Sequence, residues 1–197
     1  GRFDCTNILP CPVVCGVTTL SLEHTNLLGP TLKDIAWHKC GIFKRGSYAC
    51  VIDQAPNEDI NTFAESVATE SGASFELTRV KSQLSTGTSG TYQALNGSLA
   101  ISISRRWLES RLPSVAVDEA KMIASLSQTC VLGRQHIVNT GRNCLYLDVA
   151  HTQESLDDTL KWFKSRQTAS SEQCILFFFC SSPRSPEVLL TPFVQSG

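Results

Sequence analysis

Net charge is what this sequence has least of. Seventeen Lys and Arg stand against 18 Asp and Glu in 197 residues, a net charge of -1. So even a balance provides no electrostatic footprint for a nucleic-acid backbone and no acidic or basic tail, and a nucleic-acid partner is not expected. Long apolar runs are lacking too. Ile175 to Cys180 is strand-length and flanked by Glu172 and Arg184, so nothing reads as a membrane span. The chain opens at Gly1-Arg2-Phe3-Asp4 without an initiator Met or a targeting pattern, and the expectation is that it comes from the middle of something longer. Its length suits one large domain or parts of two.

Nor are the cysteines paired in any recognisable way. There are nine, an odd number, and most sit inside apolar runs, which predicts small buried thiols and a reducing compartment rather than a disulfide framework. Cys11 and Cys15 can be read as a metal pair, but no second pair stands at zinc-site spacing and the run between them is apolar. Zinc is not expected.

What the chain does have is an alternation of strand and helix patterns. Pro12 to Leu20 is β-branched and apolar, a buried strand candidate. Gly29-Pro30-Thr31 then supplies a break and a cap for a helix from Leu32 to about Gly41. Tyr48 to Asp53 reads as a strand. Asn57 to Glu70 reads as an amphipathic helix with Ile60, Phe63 and Val67 on one face and a stop at Ser71-Gly72. Ser74 to Val80 alternates like a strand, Ser85 to Thr91 is a loop, and Tyr92 to Leu108 is helical with Leu95, Leu99 and Ile103 on one stripe. Another helix is expected from about Val117 to Gln128, and a domain boundary near Leu132-Gly133-Arg134. Cys144 to Asp148 reads as a strand, Thr152 to Arg166 as a helix with Leu156, Leu160 and Phe163 inward, and Gln173 to Cys180 as an apolar strand of the parallel kind, together a βαβ unit. A helix is expected to begin within Ser185 to Val194.

Two blocks carry the chemistry. Leu22-Glu23-His24-Thr25 places an imidazole after an apolar run, with Lys39 on the helix that follows, and Tyr146-Leu147-Asp148-Val149-Ala150-His151-Thr152 places a carboxylate and an imidazole at a strand end. Open α/β sheets bind ligands at such strand ends. Together with Gly1-Arg2-Phe3-Asp4-Cys5-Thr6-Asn7, Val14-Cys15-Gly16-Val17-Thr18, Glu23-His24-Thr25-Asn26-Leu27-Leu28-Gly29 and Ile35-Ala36-Trp37-His38-Lys39-Cys40-Gly41-Ile42-Phe43-Lys44, they resemble the eukaryotic type of the folylpolyglutamate synthase family in the Mur ligase superfamily. The likeness runs collinearly from the first residue to about Leu190. It implies an α/β fold: residues 1–131 as part of a Mur-ligase-type central ATP-binding domain, and residues 132–197 as the truncated start of a smaller α/β C-terminal domain.

The resemblance further implies one ATP-using site shared by two domains and an ATP-dependent ligase that adds L-glutamate to the γ-carboxyl of tetrahydrofolate polyglutamates through an acyl phosphate. Such chemistry needs compensated phosphate charge and a fixed geometry for the amine. The implied cofactors are ATP, Mg2+ and a monovalent cation, the implied full-length state is a monomer, and the implied compartment is cytoplasmic, mitochondrial or both. His24 matches the family histidine that contacts magnesium, an unusual ligand for an oxygen-preferring ion; by position alone it is a core or capping histidine. Lys39 matches the lysine that is carbamylated in the superfamily; without that likeness it is a solvated helix lysine. Asn96 resembles the asparagine at a helix start that meets the adenine edge, where an amide's paired donor and acceptor suit; alone it would be a local cap. Arg134 matches an arginine that reaches ATP phosphates across the domain interface, where a planar fork binds oxygens in pairs, and otherwise reads as a surface residue. Asp148 matches a group facing the nucleotide and His151 one facing the incoming glutamate or its acyl partner, against the plainer reading of a helix-capping Asp with an exposed His nearby.

The departures are specific. The family's Gly-x-x-Gly-Lys-Ser phosphate loop and an acidic metal ligand are expected upstream of Gly1. Val149 stands where the family has glycine, and Val131-Leu132 where it has Trp-Pro. The chain by itself is therefore expected not to turn over and to dissolve poorly. The alternatives that remain are a non-catalytic remnant or interaction module, and the sister activity, dihydrofolate synthase.

Overall fold

The computed structural model of the chain describes residues 2–81, 84, 91–167, 174–180 and 185–195. They cluster into two compact units, the first made of residues up to 86 and Tyr92–Ser127, the second of residues from Gln128 on together with Thr91, the first residue of a helix that otherwise belongs to the first unit.

In the first unit, a 3-10 turn at Cys5–Ile8 leads to β1 (Val14–Val17), a short helix α1 (Thr25–Leu28) and then α2 (Leu32–Cys40). β2 (Tyr48–Ile52), α3 (Glu58–Ser71) and β3 (Ser74–Thr78) follow, and the unit closes with α4 (Thr91–Arg111) and α5 (Glu119–Ser127). The three strands form one parallel sheet in the order β1-β2-β3. Parallel neighbours need a crossover, and α2 and α3 supply one each. Strand alternation then sorts the core. Cys15, Val17, Ala49 and Val51 face one way and pack with Cys40 and Phe43, at and just beyond the end of α2, and with Ala64, Val67 and Ala68 of α3. Cys50 and Ile52 face the other way, against Leu99 of α4, with Val14, Leu95 and Ile103 half-buried beside them. The sheet is thus covered on both faces, as parallel sheets are. The expected Leu95, Leu99, Ile103 stripe is the one that α4 uses.

Gly16, within β1, lies against α4: a Cβ there would stand 2.4 Å from Ile103 Cδ1. Glu76 of β3 adds a polar tie. Its carboxylate accepts from Arg105 Nη2 at 2.7 Å and Arg106 Nε at 2.6 Å, both on α4.

The second unit holds β4 (His136–Asn139), β5 (Cys144–Leu147), α6 (Gln153–Arg166) and α7 (Pro186–Gln195). β4 and β5 pair antiparallel, His136 opposite Leu147. Tyr146 meets Trp162 and Phe163 of α6 edge-on, with ring centres 5.6 and 4.9 Å apart. Leu156 and Leu160 are buried as expected, and so is Trp162, one position before the expected Phe163.

Two expectations are corrected. Residues 174–180, read as a parallel strand closing a βαβ unit, are in no strand, and Phe177 and Phe179 are each 91% exposed. A buried parallel strand depends on strands at its edges and helices on its faces, and among the described residues the only sheet of this unit is the β4-β5 hairpin. Of the cysteines, only Cys15, Cys40 and Cys50 are buried, while Cys5, Cys11, Cys130, Cys144 and Cys174 are exposed in turns, loops or the hairpin. The loop expected at Ser85 to Thr91 falls, up to residue 90, outside the described residues. Among the described residues no helix is long and apolar enough to cross a membrane.

Candidate functional site

The carboxyl end of β1 opens into a cleft of about 310 Å³, whose lining includes Thr18, Thr19, Glu23, His24, Ile35 and Lys39. His24 and Lys39, drawn from separate turns of the chain, therefore share one cavity. The local sequence explains how. His24 sits in the left-handed region at φ 54°, ψ 34°, immediately before α1. That is an uncommon state for a residue with a Cβ, found with enrichment for His and Asn and associated with functional sites. Its side chain makes no capping hydrogen bond and is exposed, so it is neither a cap nor a core histidine.

Gly29 then turns the chain at φ 103°, where a Cβ would stand 2.6 Å from Asp34 Cβ, so only glycine fits. Thr31 starts α2 with a reciprocal capping box: Asp34 N donates to Thr31 Oγ1 at 3.1 Å and Thr31 N to Asp34 Oδ2 at 3.0 Å. Hydrogen bonds from the Thr31 hydroxyl and then its amide hold the Asp34 carboxyl below its ordinary range. So anchored, α2 buries Ile35, Ala36 and Cys40 and turns Lys39 outward into the cleft, where its Nζ has neither hydrogen bond nor ion pair among the described residues.

Asn96 is exposed on α4, five residues past its first residue, Thr91. This is beyond the first turn, so the local-cap reading does not hold. It does not line the His24–Lys39 cleft.

In the second unit the hairpin register brings Arg134 and Asp148 to the same end, each next to the His136 and Leu147 pair or one residue from it. Arg134 is exposed in a turn closed by its own N–H on Val131 O at 3.0 Å, between Gly133 at φ 76° and Gln135 at φ 44°. Val149 packs there, its Cγ1 3.6 Å from where a Cβ on Gly133 would lie. Asp148 does not cap α6. Thr152 does, through a capping box with Ser155, while Asp148 Oδ2 accepts from Thr159 Oγ1 at 3.0 Å. His151 Nδ1 lies 3.1 Å from Val149 O, and the His151 amide donates to Ser155 Oγ at 3.1 Å. A proton on Nδ1 would leave Nε2 as an acceptor. Sequence reasoning did not single out Thr159 or Ser155, since hydroxyls in a helix's first turns carry no distinctive pattern.

A parallel sheet covered on both faces, with His24 and Lys39 at the carboxyl end of β1, makes this an α/β protein whose side-chain chemistry lies where open α/β sheets bind ligands. No protein-family model matches the chain. Folylpolyglutamate synthase of Saccharomyces cerevisiae (strain FostersO) is 32% identical over 188 residues, covering 90% of this chain and 34% of the yeast protein. Among solved structures, a point mutant of L. casei FPGS superposes with a TM-score of 0.72 at 21% identity, covering 86% of this chain and 46% of that one. An FPGS–AMPPCP–folate complex gives 0.70 at 21% identity, with the same two coverages of 86% and 46%. The chain is similar to folylpolyglutamate synthases over 90% of its own length, and it spans about a third of the length of these curated relatives.

Proposed function

We propose that this chain forms part of an ATP-dependent ligase that joins L-glutamate to the γ-carboxyl of tetrahydrofolate polyglutamates. The observation that carries this reading is that His24 and Lys39 line one cleft at the carboxyl end of a parallel strand. In the proposed reaction the folate γ-carboxylate takes the terminal phosphoryl group of ATP, releasing ADP. The amine of the incoming glutamate attacks the acyl phosphate, the C–O bond to phosphate breaks, and the amine gives up a proton as the amide forms.

Residues of this chain take the binding and orienting tasks. His24 would hold Mg2+, with Glu23 the neighbouring oxygen donor in the cleft. Among the described residues no group of three His, Cys, Asp or Glu gathers. Mg2+ ordinarily keeps several waters and takes part of its shell from substrate phosphates. When bound, the ion compensates phosphate charge. Lys39 is solvent-accessible in the cleft, and its neutral amine can take up CO2 with loss of a proton, giving a carbamate that orients groups around the phosphates. Asn96 is assigned to the adenine edge, Arg134 to ATP phosphates, Asp148 to the nucleotide and His151 to the glutamate or its acyl partner.

The test is ATP-dependent amide formation by the full-length protein. Labelled glutamate should enter tetrahydrofolate, with one ADP and one phosphate released per bond. Incorporation only with dihydropteroate would support dihydrofolate synthase instead. No amide formation with either would leave the remnant reading.

A further inference from the structure

Gln54 lies two residues beyond the end of β2 and is 3% exposed, yet it lies outside the cleft lining. The β1–β2 ladder ends at Val17 opposite Val51. Beyond it Thr18, Thr19 and Leu20 leave the sheet to form a wall of the cleft, and their backbone groups need new partners. The Gln54 side chain supplies them: Oε1 accepts from Leu20 N at 2.8 Å, while Nε2 donates to Thr18 O at 3.3 Å and Ile52 O at 2.7 Å. Its own backbone is held from outside, with Gln54 N donating to Asn61 Oδ1 at 2.9 Å and Asn61 Nδ2 to Asp53 Oδ1 at 2.7 Å.

We infer that Gln54 is a positioning residue: its buried amide stands in for a missing strand and fixes the Thr18–Leu20 wall against which His24 and Lys39 are set. Only an amide offers the acceptor and the two donors used here. A carboxylate of the same length would face two carbonyl oxygens, and an apolar isostere would leave three backbone groups short of a partner. The catalytic part of the test rests on the ligase reading; the structural part does not.

Hydrogen exchange read by mass spectrometry on the full-length protein, together with kinetics, tests the inference. In the wild type, the Leu20 amide should exchange about 100-fold more slowly than an unprotected amide. In Gln54→Met it should speed up about tenfold, while Ala49 to Val51 stay protected. KM for MgATP should rise about tenfold with KM for the folate unchanged, whereas general loss of structure would lower kcat alone. An unprotected Leu20 amide in the wild type overturns the inference, as does a Gln54→Met protein with Leu20 as slow as before. If Gln54→Met loses protection everywhere, Asn61→Ala, which loosens Gln54 from the surface, decides: Leu20 faster by about threefold supports the role, and no change overturns it. The expected exchange pattern in a protein that makes no ATP-dependent amide bond would sink the ligase reading and leave the positioning role standing.

Discussion

The Thr159 hydroxyl lies 3.0 Å from Asp148 Oδ2 and 2.8 Å from Ser155 O, its one proton shared between the two acceptors, and so links the end of β5 to the second turn of α6. One oxygen of Asp148 is thereby oriented, and on the proposed ligase reading the other would face the nucleotide. Thr159→Val keeps the shape and removes the donor, so nucleotide KM should rise about threefold to tenfold, while the melting temperature shifts little because the pair is only half-buried. Nucleotide titration and a thermal melt of the same variant check both.

The Glu76 clasp on α4 should be felt in stability rather than chemistry. Burial pushes the Glu76 carboxyl up, but hydrogen bonds from Arg106 and Arg105 outweigh it and hold the group below its ordinary 4.5. A depressed carboxylate contributes stability in full above its unfolded value and loses it as pH falls through the lower folded value. Glu76→Gln should therefore cost about 1–3 kcal/mol at neutral pH, a range that allows for partial solvent screening. The gap to wild type should be flat above about pH 5 and close as pH falls below 4.5. Melts at pH 7 and pH 4 measure it, and a gap that widens in acid would contradict the clasp.

Gly16→Ala puts a methyl group 2.4 Å from Ile103 Cδ1. Overpacking of this kind costs about 1–3 kcal/mol. Because the clash is with the tip of one side chain, Ile103→Val in the same protein should recover much of the loss. Denaturant midpoints of the two singles and the double give the coupling, and strict additivity would count against this contact.

Thiol labelling should follow burial. Cys40 and Cys50 are pushed up to about 12, in both cases first by burial, so they carry almost no thiolate at neutral pH. Brief alkylation of the native protein should modify Cys5, Cys11 and Cys130, which are exposed, and leave Cys40 and Cys50 unmodified until denaturant is added. Peptide mapping reads the order.

The first unit was legible because its signals are local. Thr31 caps where a Thr before an apolar run should, Gly72 stops α3, and the Leu95, Leu99, Ile103 stripe lands on the sheet. The second unit was less so. Residues 174–180 have the composition of a buried strand, but pairing is a property of the neighbours and not of the segment. The four residues of β4 are too short and too mixed to announce a strand. At the site, the motif residues could be named, and the fold then brought His24 and Lys39 together. Gln54 could not have been named, because a glutamine after an apolar strand carries its meaning only in what its amide reaches.

The central claim is that the His24–Lys39 cleft serves ATP-dependent glutamate ligation. Its most direct test is labelled-glutamate incorporation by the full-length protein beside His24→Ala and Lys39→Ala. Each variant should lose about 100-fold or more of the rate while melting within a few degrees of wild type, since both side chains are exposed. Wild-type rates in both variants would contradict the account.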